Sequence, residues 1–464
     1  MKKLTLTSLA IYCILLTACS HTEISAESSI TLPTQFEQAQ QVKEATEIQQ
    51  WWKNWHDPEL TRLIEQALAH NLDIALAQSR LKEAQANSQA AEADRGITIG
   101  ASGGLNSGIG DMDTGMIHPK SSHGSGGYVR FLAAWEPDFF GKKRSDADVA
   151  RYVALSYQEQ VYAAQLLVSS QIAENYFKFF ATQQQQTIIQ RKLVTLNQLK
   201  RYVQGRFDAG QATAYDINEI ESQLNALSAR EATLTAQADS YTRNIAILVG
   251  QTPQGFHLLK KGNPLTNIPN APTGQLPSDL LERRPDIRTN AQLIRVYSAK
   301  LASAKADLFP RFDISFIGQG GKINLSNDLS YLSGVGSLVD LGVQLPIFTN
   351  GRISANIDAA DARLKSALIQ YDKNLLTALS EVENLYQLQS SLKDQTMLLQ
   401  RATQQAQKQT NDTQKLFTYG NKTLDVVLHT KMTALNYQEK LIQSRLASVQ
   451  NLINLYKAFG GGWL

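Results

Sequence analysis

Glycine and proline are absent from residues 142–204 and again from residues 352–419. Two further stretches, 211–249 and 421–459, run for 39 residues each without either breaker. Helix interiors exclude these two residue types most strongly, so the pattern predicts four long helices. At 1.5 Å per residue the first stretch alone would reach about 95 Å. Globular helices average about 11–12 residues, and a compact domain explains such elements poorly.

The two 39-residue stretches carry apolar residues at every seventh position. Ile220, Leu227, Leu234, Tyr241 and Leu248 form one seam, and Leu428, Leu435, Ile442, Val449 and Tyr456 form the other. A heptad seam belongs to helices packed side by side along their length. The companion seam of the second stretch (Leu424, Lys431, Gln438, Arg445, Leu452) is mixed, so one face packs and another is wet.

The plan is doubled. A shift of 210 residues superposes Gly141 on Gly351, Tyr176 on Tyr386, Phe207 on Phe417, Gly210 on Gly420 and Thr213 on Thr423. Upstream, a shift of 213 pairs Asp73-Ile74 with Asp286-Ile287. Between the halves, Gln251 to Pro277 hold five of the twelve prolines and read as an extended linker. The expected first repeat is 58–250, with a helix, a β-hairpin at 97–135 and a helical hairpin at 142–249. The second is 278–459, with a helix, a β-hairpin at 312–345 and a helical hairpin at 352–459. A linker covers 251–277 and a tail 460–464.

The segments between helices change period. Ile97, Ile99, Ala101, Gly103 and Leu105 alternate with small or polar residues, and a Gly/Ser-rich loop leads on to Tyr128–Trp135. Phe312, Ile314 and Phe316 alternate with Asp313 and Ser315; Val339, Leu341, Val343 and Leu345 alternate with Asp340, Gly342 and Gln344. Period two suits strands that cross a bilayer, and equally a soluble hairpin with one face on a core. Each half supplies two strands, and four cannot close a transmembrane barrel, which begins at eight. An open edge in lipid would leave backbone groups unpaired at several kcal/mol each. Strands in a membrane therefore require several chains, two giving eight strands and three giving twelve.

Charge and cysteine content narrow the classes. The 464 residues carry 45 Lys+Arg against 42 Asp+Glu, a net +3, which argues against nucleic-acid binding by bulk charge. No cysteine follows Cys19, so a chain beginning there holds neither a disulfide nor a cysteine metal pair. Past the N-terminus no apolar run reaches the roughly 18 residues of a membrane helix. Lys2-Lys3 and the apolar stretch Leu4–Ala18 form a secretory signal over residues 1–18. Its ending, Leu16-Thr17-Ala18-Cys19, resembles a bacterial lipobox, in which Cys19 becomes the lipidated first residue of an extended segment 19–57. An ordinary signal peptide is the alternative. Ser20, by resemblance to enterobacterial lipoproteins, is compatible with the outer membrane.

From Trp51 to the C-terminus the chain resembles the TolC-type outer-membrane efflux proteins, in their lipid-anchored, NodT-type branch serving RND pumps. The matching segments are Trp51-Trp52, Asp57-Pro58-Glu59-Leu60, Trp135-Glu136-Pro137-Asp138-Phe139-Phe140-Gly141, the stretch Leu276–Ile287 and the stretch Leu455–Trp463. The resemblance implies an α+β membrane protein. Its homotrimer would combine an α-barrel of long antiparallel helical hairpins with a twelve-stranded outer-membrane barrel, four strands per chain. It implies a passive duct that accepts drugs or other small toxic compounds from an inner-membrane pump through a periplasmic adaptor. The pump is expected to be of the RND type, with MFS or ABC pumps possible. No nucleic acid, cofactor, metal or catalysis is expected.

On this reading the barrel meets the helices at Trp135, Gly141, Pro310 and Pro346. The periplasmic tips fall near Gly205–Asp216 and Phe417–His429. Gly210 and Gly420 either permit a special turn or merely end helices. Thr213 and Thr423 are placed to cap the outgoing helices. Asp216 and Asp425 sit in first turns, where they either meet the helix dipole or, in a trimer, form acid rings near the threefold axis. His429 and Lys431 stand where the family often carries an acid and a base. His429 is either a pH-responsive element or a solvated residue. Two other classes remain open: a lipid-anchored coiled-coil scaffold without a pore, and a hydrolase using Ser102 in Gly100–Gly104, a five-residue elbow pattern that needs a helix next.

Overall fold

The computed structural model describes residues 28, 30–38, 45–111, 121–258, 262–325 and 332–463. Cys19 and the signal segment lie outside these residues. A 3₁₀ turn at Trp51–Trp55 precedes α1 (Pro58–His70) and α2 (Leu72–Ala93). Strands β1 (Thr98–Asp111) and β2 (Ser121–Trp135) lead to α3 (Lys142–Asp208) and α4 (Ala214–Leu248). The order then recurs: α5 (Asp279–Arg283) and α6 (Pro285–Ala306), β3 (Arg311–Leu325) and β4 (Leu332–Gln344), α7 (Arg352–Thr418) and α8 (Leu424–Ala458). Helices α3 and α7 each run 67 residues, and α4 and α8 each run 35.

All four long helices stop by one device. The N–H groups of Gly210 and Gln211 return to the carbonyls of Phe207 and Arg206, and those of Gly420 and Asn421 to Phe417 and Leu416. The same pair of bonds closes α4 at Gly250-Gln251 and α8 at Gly460-Gly461. This is the Schellman arrangement, which needs a left-handed residue after the helix. At the two tips Gly210 and Gly420 supply it, with φ of 73° and 77°. Gly205 does not open the first tip, because α3 runs through it to Asp208. One helical glycine costs only about 1 kcal/mol against alanine, which a helix this long absorbs.

Two compact units cut across the repeats. One takes residues 81–157 and 290–371 and holds all four strands, in the order β1-β2-β3-β4, every pair antiparallel. Its helical core joins Leu301 of α6 to Ala360 and Leu364 of α7. Strand β2 extends back through the Gly/Ser-rich segment, pairing Ser121 with Asp111, where the sequence pattern suggested a loop. Small residues have weak strand preference, but the β1 ladder holds their backbone.

The other unit takes residues 29–80, 158–289 and 372–464. Here the sequence motifs converge into packing. Trp51 stacks on Tyr456 at 5.5 Å, and Phe36 meets Phe459 edge-on at 5.7 Å. Asp57 caps α1 by accepting from the Glu59 and Leu60 N–H groups, while its Oδ2 accepts from the Tyr176 hydroxyl at 2.8 Å. Arg284 forks between Asp286 and Glu381, each at 2.8 Å, and donates to the Ala458 carbonyl. Arg288 lies over the rings of Tyr162 and Trp463 and pairs with Glu159.

Candidate functional site

The strand register sorts side chains onto two faces, since residues directly opposite share a face and neighbours alternate. One face carries Ile99 and Leu105 of β1, Val129, Phe131 and Trp135 of β2, Ile314 and Phe316 of β3, and Val335, Val339, Leu341 and Val343 of β4. Among the described residues most of it is uncovered: Ile99, Leu105, Val335 and Leu341 are 79%, 94%, 92% and 71% exposed. The soluble-hairpin alternative needs a core against this face, and the described residues supply none. An apolar surface of this extent is unsuited to water and suited to lipid. The opposite face carries Thr98, Ser102, Asn106, Arg130, Asp313, Ser315, Gln319, Asp340 and many glycines, interrupted by a row of Leu132, Ile317 and Leu338.

Strands of 13 to 15 residues exceed the 9–11 or so that a tilted strand needs to cross a bilayer. Strands β1 and β4 each keep one edge unpaired within the described sheet. Ser102 sits inside β1 opposite Arg130, so the strand-to-helix turn of a hydrolase elbow is missing at that point.

At the base of the sheet, the Trp135 indole donates to the Arg95 carbonyl at 3.3 Å. Asp138 accepts from the Arg144 N–H at 2.7 Å, which opens α3 just after Gly141, whose φ is 77°. Phe140 stacks on Phe309 at 4.8 Å, beside Pro310 and the start of β3. Pro346 follows the end of β4. Lys142 and Arg311 both pair with Asp307, at 2.9 and 2.6 Å. Burial pushes the Asp307 carboxyl up, but these two partners outweigh it and hold it below the usual range.

The two tips are built differently. Thr213 and Asp216 form a reciprocal capping box: the Thr213 N–H and hydroxyl donate to Asp216 Oδ2, both at 2.8 Å, and the Asp216 N–H donates back to Thr213. Those bonds hold the Asp216 carboxyl below its ordinary value. Thr423 occupies the same position before α8 but makes no side-chain cap bond, contrary to the expectation from spacing. Its neighbour Asp425 is two residues on rather than three, so the box cannot close. Asp425 Oδ1 is buried without a hydrogen-bond partner among the described residues. His429 is exposed and Lys431 half-buried. Behind the tips, Leu196 and Leu199 of α3, Ile220 of α4 and Leu428 of α8 form one buried cluster, flanked by Leu424 and Met432.

One group escaped the sequence reading. Glu439 of α8 is buried between Lys192 of α3, at 2.5 Å, and Arg230 of α4. Burial pushes its carboxyl up, yet the two cations together hold it below the usual range. A charge beside the heptad seam is its trace in the sequence; both partners lie more than two hundred residues away, on other helices.

Comparison with known proteins follows from this geometry. The profile of the Outer membrane efflux protein family matches residues 63–251 and 276–461. The chain belongs to this family. Its relatives include the pyoverdine export outer membrane protein OpmQ of Pseudomonas aeruginosa, 30% identical over all of this chain and 97% of that protein. They also include the cation efflux system protein CusC of Escherichia coli, 27% identical over 97% of this chain and 96% of that protein. The solved open state of the Neisseria gonorrhoeae MtrE outer membrane channel shares the fold, with a TM-score of 0.79 and 21% identity, covering 96% of this chain and 98% of that one. This outer membrane efflux protein is an exit duct of the outer membrane.

Proposed function

We propose that three copies close a twelve-stranded barrel through the outer membrane, and that their long helices wall the periplasmic part of the same duct. The observation that carries this reading is a four-stranded sheet with an uncovered apolar face and two unpaired edges. Only closure by identical neighbours satisfies the edges in lipid. The duct takes small toxic compounds from an inner-membrane pump of the RND type through a periplasmic adaptor, and it works by confinement, without chemistry. The names of OpmQ and CusC, concerned with pyoverdine export and cation efflux, support a small-molecule or ionic cargo.

The gate lies at the tips around Gly210 and Gly420. Asp425 is the acid we assign to the gate ring, because its Oδ1 has no hydrogen-bond partner among the described residues, whereas the Asp216 carboxylate is occupied by Thr213. His429, exposed, is read as solvated. The test is mass measurement of the detergent-purified protein followed by single-channel recording in bilayers. Three copies per particle and an ion current, larger after Asp425→Ala, are expected. A stable monomer, or no current even with the tips altered, would overturn the reading and favour the scaffold.

A further inference from the structure

We propose that Arg130 forms an anion-selecting collar partway along the strand wall. Arg130 stands in the row Ser102, Arg130, Gln319, Gly336 of the polar face. The adjacent rows on that face are Gly100, Leu132, Ile317, Leu338 on one side and Gly104, Tyr128, Gly321, Gly334 on the other. None of the three rows holds a carboxylate. The guanidinium is tethered along the wall, its Nε donating to Gln319 Oε1 at 3.0 Å and its carbon 5.9 Å from the Tyr128 ring centre. That tether is neutral and uses one of five N–H donors, so no described carboxylate compensates the positive charge.

The other charges of the described face lie toward the helices. Asp340 is opposite Ser315, four residues along the strand from the Arg130 row and thus about 13 Å away. Asp313 is two residues further, and Arg311 is committed to Asp307 at 2.6 Å. The described polar face therefore changes sign along the strands, acidic near the helices and basic above. The collar rests on the trimeric duct: three copies place three guanidiniums around one lumen, inside a low-dielectric wall that focuses their field. Small anionic solutes, carboxylates and phosphates among them, are the class it favours. Arginine keeps its charge at any physiological pH, so the preference is permanent rather than switched.

The full-length trimer, recorded in a planar bilayer under a potassium chloride gradient, yields the chloride-to-potassium permeability ratio from its reversal potential. Arg130→Glu is expected to lower that ratio at least about threefold, through potentials of several kT. Arg130→Lys should preserve the ratio, and Arg130→Gln should lower it by less, serving also if the Glu variant fails to assemble. Lys322→Glu, on the lipid-facing side of β3, makes the same charge change and should leave the ratio alone. The Arg130→Glu effect should shrink in 1 M salt, where the Debye length falls to about 3 Å. A conducting trimer whose ratio ignores Arg130 overturns the collar and leaves the duct standing. Absence of current in every form, also with the tips altered by Asp425→Ala, overturns both.

Discussion

Glu439 shows how much one side chain can hold together. It joins α8 to α3 through Lys192 and to α4 through Arg230, and Lys192 and Glu439 are only 5% and 6% exposed. Removing one member of a buried pair leaves an uncompensated charge. Glu439→Ala should therefore destabilise the protein by about 3 kcal/mol, toward the low end for such changes because Arg230 stays partly in water. Thermal melts in detergent would measure this, and Lys192→Met in the same background should restore part of the loss. The pH dependence follows from the depressed folded pKa. The pair's stabilisation is complete above the unfolded glutamate value of about 4.3 and is lost as pH falls through the lower folded value. Glu439→Gln should flatten that acid limb of the stability curve.

Among the elements, the strands offer the sharpest contrast, because adjacent residues face different solvents. Phe131 lies on the apolar face and Leu132 on the polar one. A charge facing lipid near the midplane costs about 2–4 kcal/mol, while one facing a wet lumen costs little. Phe131→Lys is thus expected to cut the yield of heat-stable trimer in outer membranes, and Leu132→Lys to leave it near wild type. Equal loss from both would mean that neither face meets lipid. The helices use polarity differently. Asn451 donates to Gln389 and to the Leu385 carbonyl, Gln389 donates to Ser448, and Ser444 bonds Gln395 and Thr396. These bonds fix the register of α8 on α7, where an all-apolar seam would tolerate sliding.

For the whole molecule, the decisive quantity is the number of strands a chain can contribute. Four strands with two free edges have no closed solution alone, so assembly and membrane insertion are one problem. Lipid on Cys19 would hold each chain at the membrane while partners collect. Cys19→Ser should remove the acyl mass seen by intact-protein mass spectrometry and lower the fraction of trimer in the outer membrane. Acyl label retained by that variant would place the anchor elsewhere. The motifs Trp51-Trp52, Arg283-Arg284-Pro285 and Leu455–Trp463 meet in packing, Trp51 on Tyr456, Arg284 on the Ala458 carbonyl and Trp463 on the Arg283 carbonyl, while Asp57 caps α1 and takes the Tyr176 hydroxyl. They hold this unit together.

Local rules made much of this protein readable from its chain. Breaker-free stretches imply long helices because glycine and proline act at their own positions, and period two implies strands because the pleat alternates every residue. Tips at Gly210 and Gly420 were visible for the same reason, since the left-handed turn is a local demand. What lies between distant residues was not. The missing cover over the apolar strand face, the strand pairing of the Gly/Ser segment at 121–127 and the burial of Glu439 against Lys192 all depend on long-range contacts. So does the division into units that cross the repeats. Thr423 makes the limit plain: its spacing matched Thr213, yet its side chain makes no cap bond, and with Asp425 only two residues on the reciprocal box cannot close.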